Sequence, residues 1–546
     1  MPSTGKFFIY LQLYAILFCP AFMVIHAETY VGHPGNYRSL LPSLQPGDTL
    51  ELTGGDYMDG LPLTDLVGTQ EQPIVITGRI GALIPVIHGR ECCNTISITR
   101  CAYVVIQHLV INGDDIPGID AVKAEGTDGN WAHDITLDNL LIVGHGTDQQ
   151  QVGISTKCPA WNWTIRQCII EEAGTGMYLG NSNGEEPFVN GVIELNLVKN
   201  TIGYCLQIKH QNVGTRDLPE IVKNGKTIIR WNTFSKDENA SSGGASRPNV
   251  LLGNFPATGD GSDDIYEVYG NFFYNNPSES LFQGTGTIAL YNNVFLNRLA
   301  GYGVTIQQHN GFQPRDISVF HNTILVNSGA GIRFSGVDPG YRQRAEGNAV
   351  FASPAIQNAP DELNNITDSY VNAGMYVKSA GPDLATLDLE PMPGKLEGEL
   401  ILPDDYNMYT DYNRDFDGYI KLWTIRGAYQ QRLVQRWQPN TTTQRSTPDG
   451  MLLPVGPPAP DPVAFALEVY PNPASGNVFA AVSGIGGQQG TLQLVDAAGR
   501  VLSSRTIDGR STRVFTGFDL SKYPSGTYYI RLTAGMWVRV KPISVR

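Results

Sequence analysis

An asparagine stands just ahead of a short apolar run at Asn139 (LDNLLIV), Asn196 (ELNLVKN), Asn232 (RWNTF), Asn271 (YGNFFYNN), Asn293 (YNNVFLN) and Asn322 (FHNTILVN). Gln167 in RQCII takes the same place between the first two. Successive positions lie 22 to 39 residues apart. A motif returning at that period, with one short strand per unit, constrains the chain to a solenoid whose units bury their apolar faces only against their neighbours. The amides are expected to stack at a sharp turn and to bond from rung to rung, which makes them structural and not site candidates.

The 546 residues are enough for more than one domain and a large core. Short runs of Val, Ile, Leu and Thr are broken by Gly, Asn and Asp, with 60 glycines in all and little apolar periodicity at helical spacing. That pattern predicts an almost all-β protein. The net charge of −14 argues against nucleic acid or an anionic membrane as partner, and it requires a local basic patch for any polyanionic substrate.

Lys6, the apolar run Phe7 to Ile25 and the IHA ending at Ala27 read as an export signal over residues 1–27. The rival is a permanent anchor, since 19 apolar residues can span a bilayer. Pro20 inside the run favours cleavage and no stable membrane insertion afterwards. Six cysteines follow, at 92, 93, 101, 158, 168 and 205. The adjacent Cys92 and Cys93 lack zinc spacing. Cys158, Cys168 and Cys205 read as buried packing thiols, and one disulfide near Cys92 to Cys101 is compatible with export.

From Leu44 to Arg79, LQPGDTLELTGGDYMDGLPLTDLVGTQEQPIVITGR alternates strand and turn. It resembles the N-terminal rungs of secreted right-handed parallel β-helix proteins, chondroitinase-B-like and alginate-lyase-like polysaccharide lyases among them. The resemblance implies a cap and first rungs over 28–90 and a right-handed parallel β-helix over 91–350. Residues 351–435 lose the repeat. There, DYNRDFDGYIKLWTIRGAY resembles the closing segment of many β-helix proteins. Asn413, Asp415, Asp417 and Gly418 also fit part of a calcium loop, although Thr424 stands where that loop ends in Glu. A Thr- and Pro-rich linker over 436–462 leads to a small β-sandwich over 463–546. This module, with Tyr470 to Pro473, Asp496 to Gly499 and Tyr523 to Tyr528, resembles the C-terminal sorting domain of the type IX secretion system. The resemblance implies the type IX machinery as partner, passage through the periplasm, and release or attachment at the cell surface.

Strand side chains alternate faces. Aligning the strands that follow a glycine gives one outward column of Lys123, Lys157, Gly180, Lys209, Gly253, Gln283, Gln307 and Ser335. Its neighbour holds Ala121, Ser155, Tyr178, Gln207, Leu251, Leu281, Thr305 and Arg333. Lys209 and His210 stand out because Gly180 and Gly253 leave space on either side. Lys157, Asn181, Gln207, Asn254, Gln283, Gln307 and His309 are expected nearby as substrate-binding groups. Arg247, and the loop bearing Arg216, Lys223 and Lys226, are expected as walls. Such a groove suits β-elimination on an anionic polysaccharide. Lys209 would be the base with His210 assisting, and Lys157 and Arg247 would hold the substrate carboxylate.

IKHQN loosely resembles the strand carrying the catalytic Lys of chondroitinase-B-like lyases. Those enzymes place two calcium-binding Glu just before the Lys, where this chain has Cys205 and Gln207. A metal therefore stays open, with calcium the candidate. The alternative reading is a non-catalytic surface protein that binds glycan along the same face. A hydrolase would need converging carboxylates, for which Asp114–Asp115, Asp263–Asp264 and Glu185–Glu186 are the local pairs. Trp161 and Trp163 could stack on sugar rings.

Overall fold

The computed structural model describes residues 27–79, 83–126, 129–430, 437–445, 447–448, 466–474, 476–485, 488–508, 513–535 and 537–546. Residues 1–26 of the expected export signal, and the linker from 449 onward, lie outside them. From Thr29 to Asp368 the chain winds through three parallel sheets of fifteen, eleven and twelve strands, here called I, II and III. One coil shows the order. Val122–Ala124 lies in sheet II, Ala132–Asp138 in sheet I and Leu141–Val143 in sheet III, and Val152–Thr156 then pairs beside Val122–Ala124. The fold is thus a parallel β-helix, a solenoid as the repeat predicts and of the kind the resemblance implies. Inward Leu, Ile, Val and Phe from all three sheets fuse into one continuous core. Cys101, Cys158, Cys168 and Cys205 are buried thiols. The disulfide joins the adjacent Cys92 and Cys93, leaving Cys101 out of it.

The asparagine ladder runs along the corner between sheets I and III. Each Nδ2 donates to the Oδ1 of the next rung: Asn196 to Asn232 at 2.9 Å, Asn232 to Asn271 at 2.9 Å, Asn271 to Asn293 at 3.0 Å and Asn293 to Asn322 at 3.0 Å. It continues from Asn322 to Asn348 at 3.0 Å and from Asn348 to Asn365 at 2.9 Å. Each Oδ1 also accepts the backbone N–H of the preceding rung.

Two predicted members do not belong to it. Ile169 pairs with Leu197 and Leu141 with Ile169, which aligns Leu140, Cys168 and Asn196 and sets Asn139 and Gln167 one position earlier. That earlier column is left-handed throughout, from Asn139 at φ +56° through Trp231, Gly270 and His321 to Asn364 at +53°. Asn is favoured there for a different reason, its tolerance of positive φ. His321 also occupies this column.

Two sheets are covered on their outer faces. Residues 370–429 lie over the later coils. Phe272, Leu296, Leu325 and Phe351 of sheet III pack with Val377, Leu389, Phe416 and Tyr429, while Tyr269, Tyr291 and Phe320 of sheet I pack with Tyr406 and Trp423. The C-terminal module is two antiparallel sheets, of three and four strands, around a core of its own. Its Phe479, Ala481 and Phe515 cover Val86, Val110, Leu141, Ile169 and Leu197 on the early coils of sheet III. Sheet II is the face left polar.

The ladder makes a measurable prediction. Asn271→Ala strands the Ile229 carbonyl and the Asn232 amide in a dry interior, at a cost of about 3 kcal/mol in urea unfolding. Asn139→Gly keeps the left-handed turn and is expected to stay within about 1 kcal/mol of the parent. Equal losses at the two positions would contradict the separation of the columns.

Candidate functional site

Strand register determines which side chains meet on sheet II. Lys123 pairs with Ser155, Ser155 with Tyr178, Tyr178 with Gln207, Gln207 with Leu251, Leu251 with Gln283 and Gln283 with Thr305. Lys123 and Gln283 therefore join the column of Tyr178 and Gln207. Ala121 and Leu281, predicted there, are fully buried. The slip is by two residues, which leaves the in–out alternation unchanged and so goes unseen in the sequence. The neighbouring column keeps Lys209 between glycines. Lys209 N donates to Leu179 O at 2.9 Å, and Gly253 N to Ile208 O at 2.9 Å. A Cβ on Gly180 would stand 3.3 Å from the Lys209 Cβ.

Beside these columns lies a cleft of about 610 Å³. Lys123, Lys157, Lys209 and Arg247 converge on it, with His309 at the rim. Tyr178 is its floor: the Lys157 ammonium stands 3.6 Å from the ring centroid and that of Lys209 5.9 Å. A tyrosine face attracts cations, so one ring gathers both lysines. The loop holding Gln149, Gln150 and Gln151 walls one side, and Arg247 comes from the loop after Ser235. Arg247 Nη1 donates to the Ser246 carbonyl at 2.7 Å, and its guanidinium stands 5.9 Å from the Tyr204 ring. Beneath it, the buried Lys236 donates from Nζ to the Arg247 carbonyl at 2.8 Å.

Burial and like charge tune these groups. Burial lowers Lys157 to about 8; Lys123 and Lys209 push the same way, and Asp120 opposes them. Burial also lowers Lys209. The two histidines near the cleft are lowered by burial and by Lys209, which favours neutral imidazoles.

Lys157, Gln207, Lys209, Arg247 and His309 are brought together as expected. The other expected groups lie outside the cleft. His210 turns aside, accepting at Nδ1 from Asn310 Nδ2 at 3.0 Å with its ring against Phe312. Asn181 Oδ1 caps Ser182 N at 2.9 Å. Asn254 is buried. Gln283 donates to Glu279 at 2.8 Å, and Gln307 to Gln283 at 3.4 Å, farther along the sheet. The loop expected as a wall leads elsewhere. Arg216 is buried against Asp264, Lys223 pairs with Asp260 at 2.7 Å and Lys226 with Glu267 at 2.6 Å.

Trp161 and Trp163 are fully buried, which closes their faces to a sugar ring. The local acid pairs dissolve as well: Asp114 bonds His88 at 2.6 Å, Asp264 bonds Arg216, and Glu185 bonds Asn183 at 2.7 Å. Sequence reasoning missed Tyr204, Asp120 and the glutamine loop, whose approach depends on loop paths. It placed Tyr178 on the face without seeing that it would sit between two lysines.

The residues present do not fit a calcium ion here. Cys205 points into the core and donates to Ser235 O at 3.6 Å, and Gln207 offers a neutral amide beside lysines. In the segment resembling a calcium loop, Asp415 Oδ1 accepts from Asp417 N at 3.0 Å and Tyr419 N at 2.9 Å, and Oδ2 from Gln430 N at 3.3 Å. These bonds close a turn. Among the described residues no group of three or more His, Cys, Asp or Glu side chains gathers as metal ligands.

Lys236 supplies a test of how the Arg247 loop is held. Burial lowers it to about 8 from an ordinary 10.5. Between those values the unfolded chain binds more protons, so stability rises with pH across that window. Lys236→Met is expected to flatten the rise by on the order of 3 kcal/mol, measured by urea unfolding at the two ends of the window. An unchanged slope would place the charge of Lys236 in water.

Comparison with known proteins matches one domain family, at the C-terminal end, and several solved structures. An alginate lyase from Paenibacillus sp. str. FPU-7 superimposes with a TM-score of 0.37 at 16% identity, covering 63% of this chain and 99% of its own. The PL6 family alginate lyase AlyGC gives 0.40 at 12%, covering 62% and 51%. The A-module of mannuronan C-5 epimerase AlgE4 from Azotobacter vinelandii gives 0.25 at 13%, covering 62% and 91%. No curated protein matches the chain. Residues 468–546 match the secretion system C-terminal sorting domain. The chain therefore ends in a sorting domain and is exported, to be secreted or held at the cell surface.

Proposed function

We propose that the protein acts on an extracellular anionic polysaccharide and cleaves it by β-elimination at the sheet II cleft. The observation that carries this reading is the convergence of Lys123, Lys157, Lys209 and Arg247 on one cleft, where they outnumber Asp120 and Asp148, in a chain whose net charge is −14. Cations gathered against the overall charge make a local site for a polyanion. In the reaction, Arg247 and Lys157 hold the uronate carboxylate and so acidify the adjacent C–H. Lys209, lowered by burial, takes that proton as a neutral amine. The C–H electron pair becomes the new C=C bond, the glycosidic C–O bond breaks, and the leaving oxygen takes the proton that Lys209 has gained. His309, at the rim, takes the assisting place first given to His210.

The second reading, a binder without turnover, is favoured by the glutamines and tyrosines that line the cleft and can hold sugar hydroxyls without chemistry. The two are separated by incubating the mature chain with a panel of polyuronates and following the ultraviolet absorbance of an unsaturated uronate. Lyase action predicts product, a loss of about 100-fold or more in kcat for Lys209→Ala, and retained binding. Retention on polyuronates without product would leave the binder. Turnover intact in Lys209→Ala would remove Lys209 as base.

The pH profile carries a further expectation. kcat rises with pH as Lys209 loses its proton. KM worsens as pH passes about 8, because Lys157 then loses the charge that holds the carboxylate. Lys157→Arg keeps that charge, so its KM is expected to stay flat through the same range.

A further inference from the structure

A second cleft, of about 500 Å³, lies at the corner where sheet II passes into sheet I, on the early coils. It differs from the first in kind. Its walls include the rings of Tyr103, Trp131 and His133, with Gln70, Glu71 and Glu220 around them, and among the described residues no Lys or Arg lines it.

The backbone at Tyr103 is unusual. His133 pairs with Ala102 and with Trp161, and Trp161 pairs with Val189, which stacks Tyr103, Asp134, Asn162 and Asn190 in one column. All four have positive φ, between +52° and +57°. Three are Asp or Asn, the residues that tolerate this conformation, and their side chains bond from rung to rung: Asn190 to Asn162 at 2.8 Å and Asn162 to Asp134 at 3.2 Å. Tyrosine gains nothing from the turn and is strained in it. The position holds an aromatic ring where local structure favours Asn.

The neighbours keep that ring in place. His133 donates from Nδ1 to Asp134 at 2.7 Å, stacks on the buried Trp161 with centroids 4.5 Å apart, and meets the Tyr103 ring edge-on at 5.5 Å. The fourth wall is brought from far along the chain. The segment after Gln211 folds back over the corner, anchored by Arg216 on Asp264 and by Ile221 packed on Trp161 and Val189. That path carries Pro219 and Glu220 to the cleft and leaves Trp131 half-buried beside them.

We infer that this corner cleft is a second glycan site, taking an uncharged sugar residue whose ring stacks on Trp131 and Tyr103 while its hydroxyls donate to Glu71 and Glu220 and accept from the Gln70 amide. Half-buried aromatic faces suit the apolar faces of a pyranose. Carboxylates without a cation repel a uronate, so the ligand class differs from that of the sheet II cleft. The inference holds whether or not that cleft is catalytic.

The test uses the mature chain in affinity electrophoresis through gels containing glucan, mannan, xylan or galactan, with polyuronate gels alongside. The parent is expected to be retarded by at least one neutral polysaccharide. Trp131→Ala is expected to weaken that retardation about tenfold or more. Tyr103→Asn completes the Asx column and is expected to weaken it similarly while its thermal midpoint stays level or rises. Lys209→Ala is expected to leave it unchanged. No retardation by any neutral glycan overturns the proposal. So does retention unaffected by Trp131→Ala and Tyr103→Asn, or a stability loss in Tyr103→Asn with binding intact.

Discussion

The buried amide ladder is the contact on which the rest depends. Each rung must turn sharply between sheets I and III with backbone groups facing a dry core. The asparagine side chain pairs those groups and the next amide in one move. Unpaired, they would cost on the order of 1–3 kcal/mol per group. With the corner held at every coil from Asn196 on, strands only three residues long, such as Leu206–Ile208 and Val250–Leu252, keep register. Short strands in register give sheet II the order that a site needs.

What covers the solenoid decides where a ligand can go. Sheet III is closed by apolar contacts with the sorting domain on the early coils and with residues 370–429 on the later ones, and sheet I is closed by the same later segment. Sheet II keeps Lys, Gln, Tyr and Gly on its outer face, and there charge gathers. Two lysines share one tyrosine ring, and burial lowers both, so an acidic protein holds a local basic site with amines of reduced pKa. At the early corner a strained tyrosine and a half-buried tryptophan line a second cleft.

Much of the fold was legible in the chain. The period of the Asn motif and the Gly-led strands led to a solenoid, and the resemblances of the N-terminal rungs and of the C-terminal module led to a β-helix followed by a sandwich. Part of the site was legible too: Lys157, Gln207, Lys209, Arg247 and His309 do meet. The misses share a cause. Asn139 and Gln167 carry the right chemistry one residue early, because a left-handed turn and a ladder both favour amides. Asn348, which the motif reading missed, passes the ladder on to Asn365, in sequence where the repeat pattern fades. His210 follows Lys209 directly yet points to Asn310, a hundred residues away in sequence.

By itself the sequence determined the solenoid, the face each strand turns inward and the export of the chain, since these follow from local periodicity and a contiguous module. Tertiary structure alone decided which outward residues become neighbours. Alternation has a period of two and is blind to a slip of two, so the places of Lys123 and Gln283 depended on hydrogen-bonded register. It also decided the path of the long loop. Arg216 and Asp264, 48 residues apart, pair in the interior and carry the loop away from the lysine cleft to the aromatic one. Desolvating that pair requires both partners at once, and no local pattern records it.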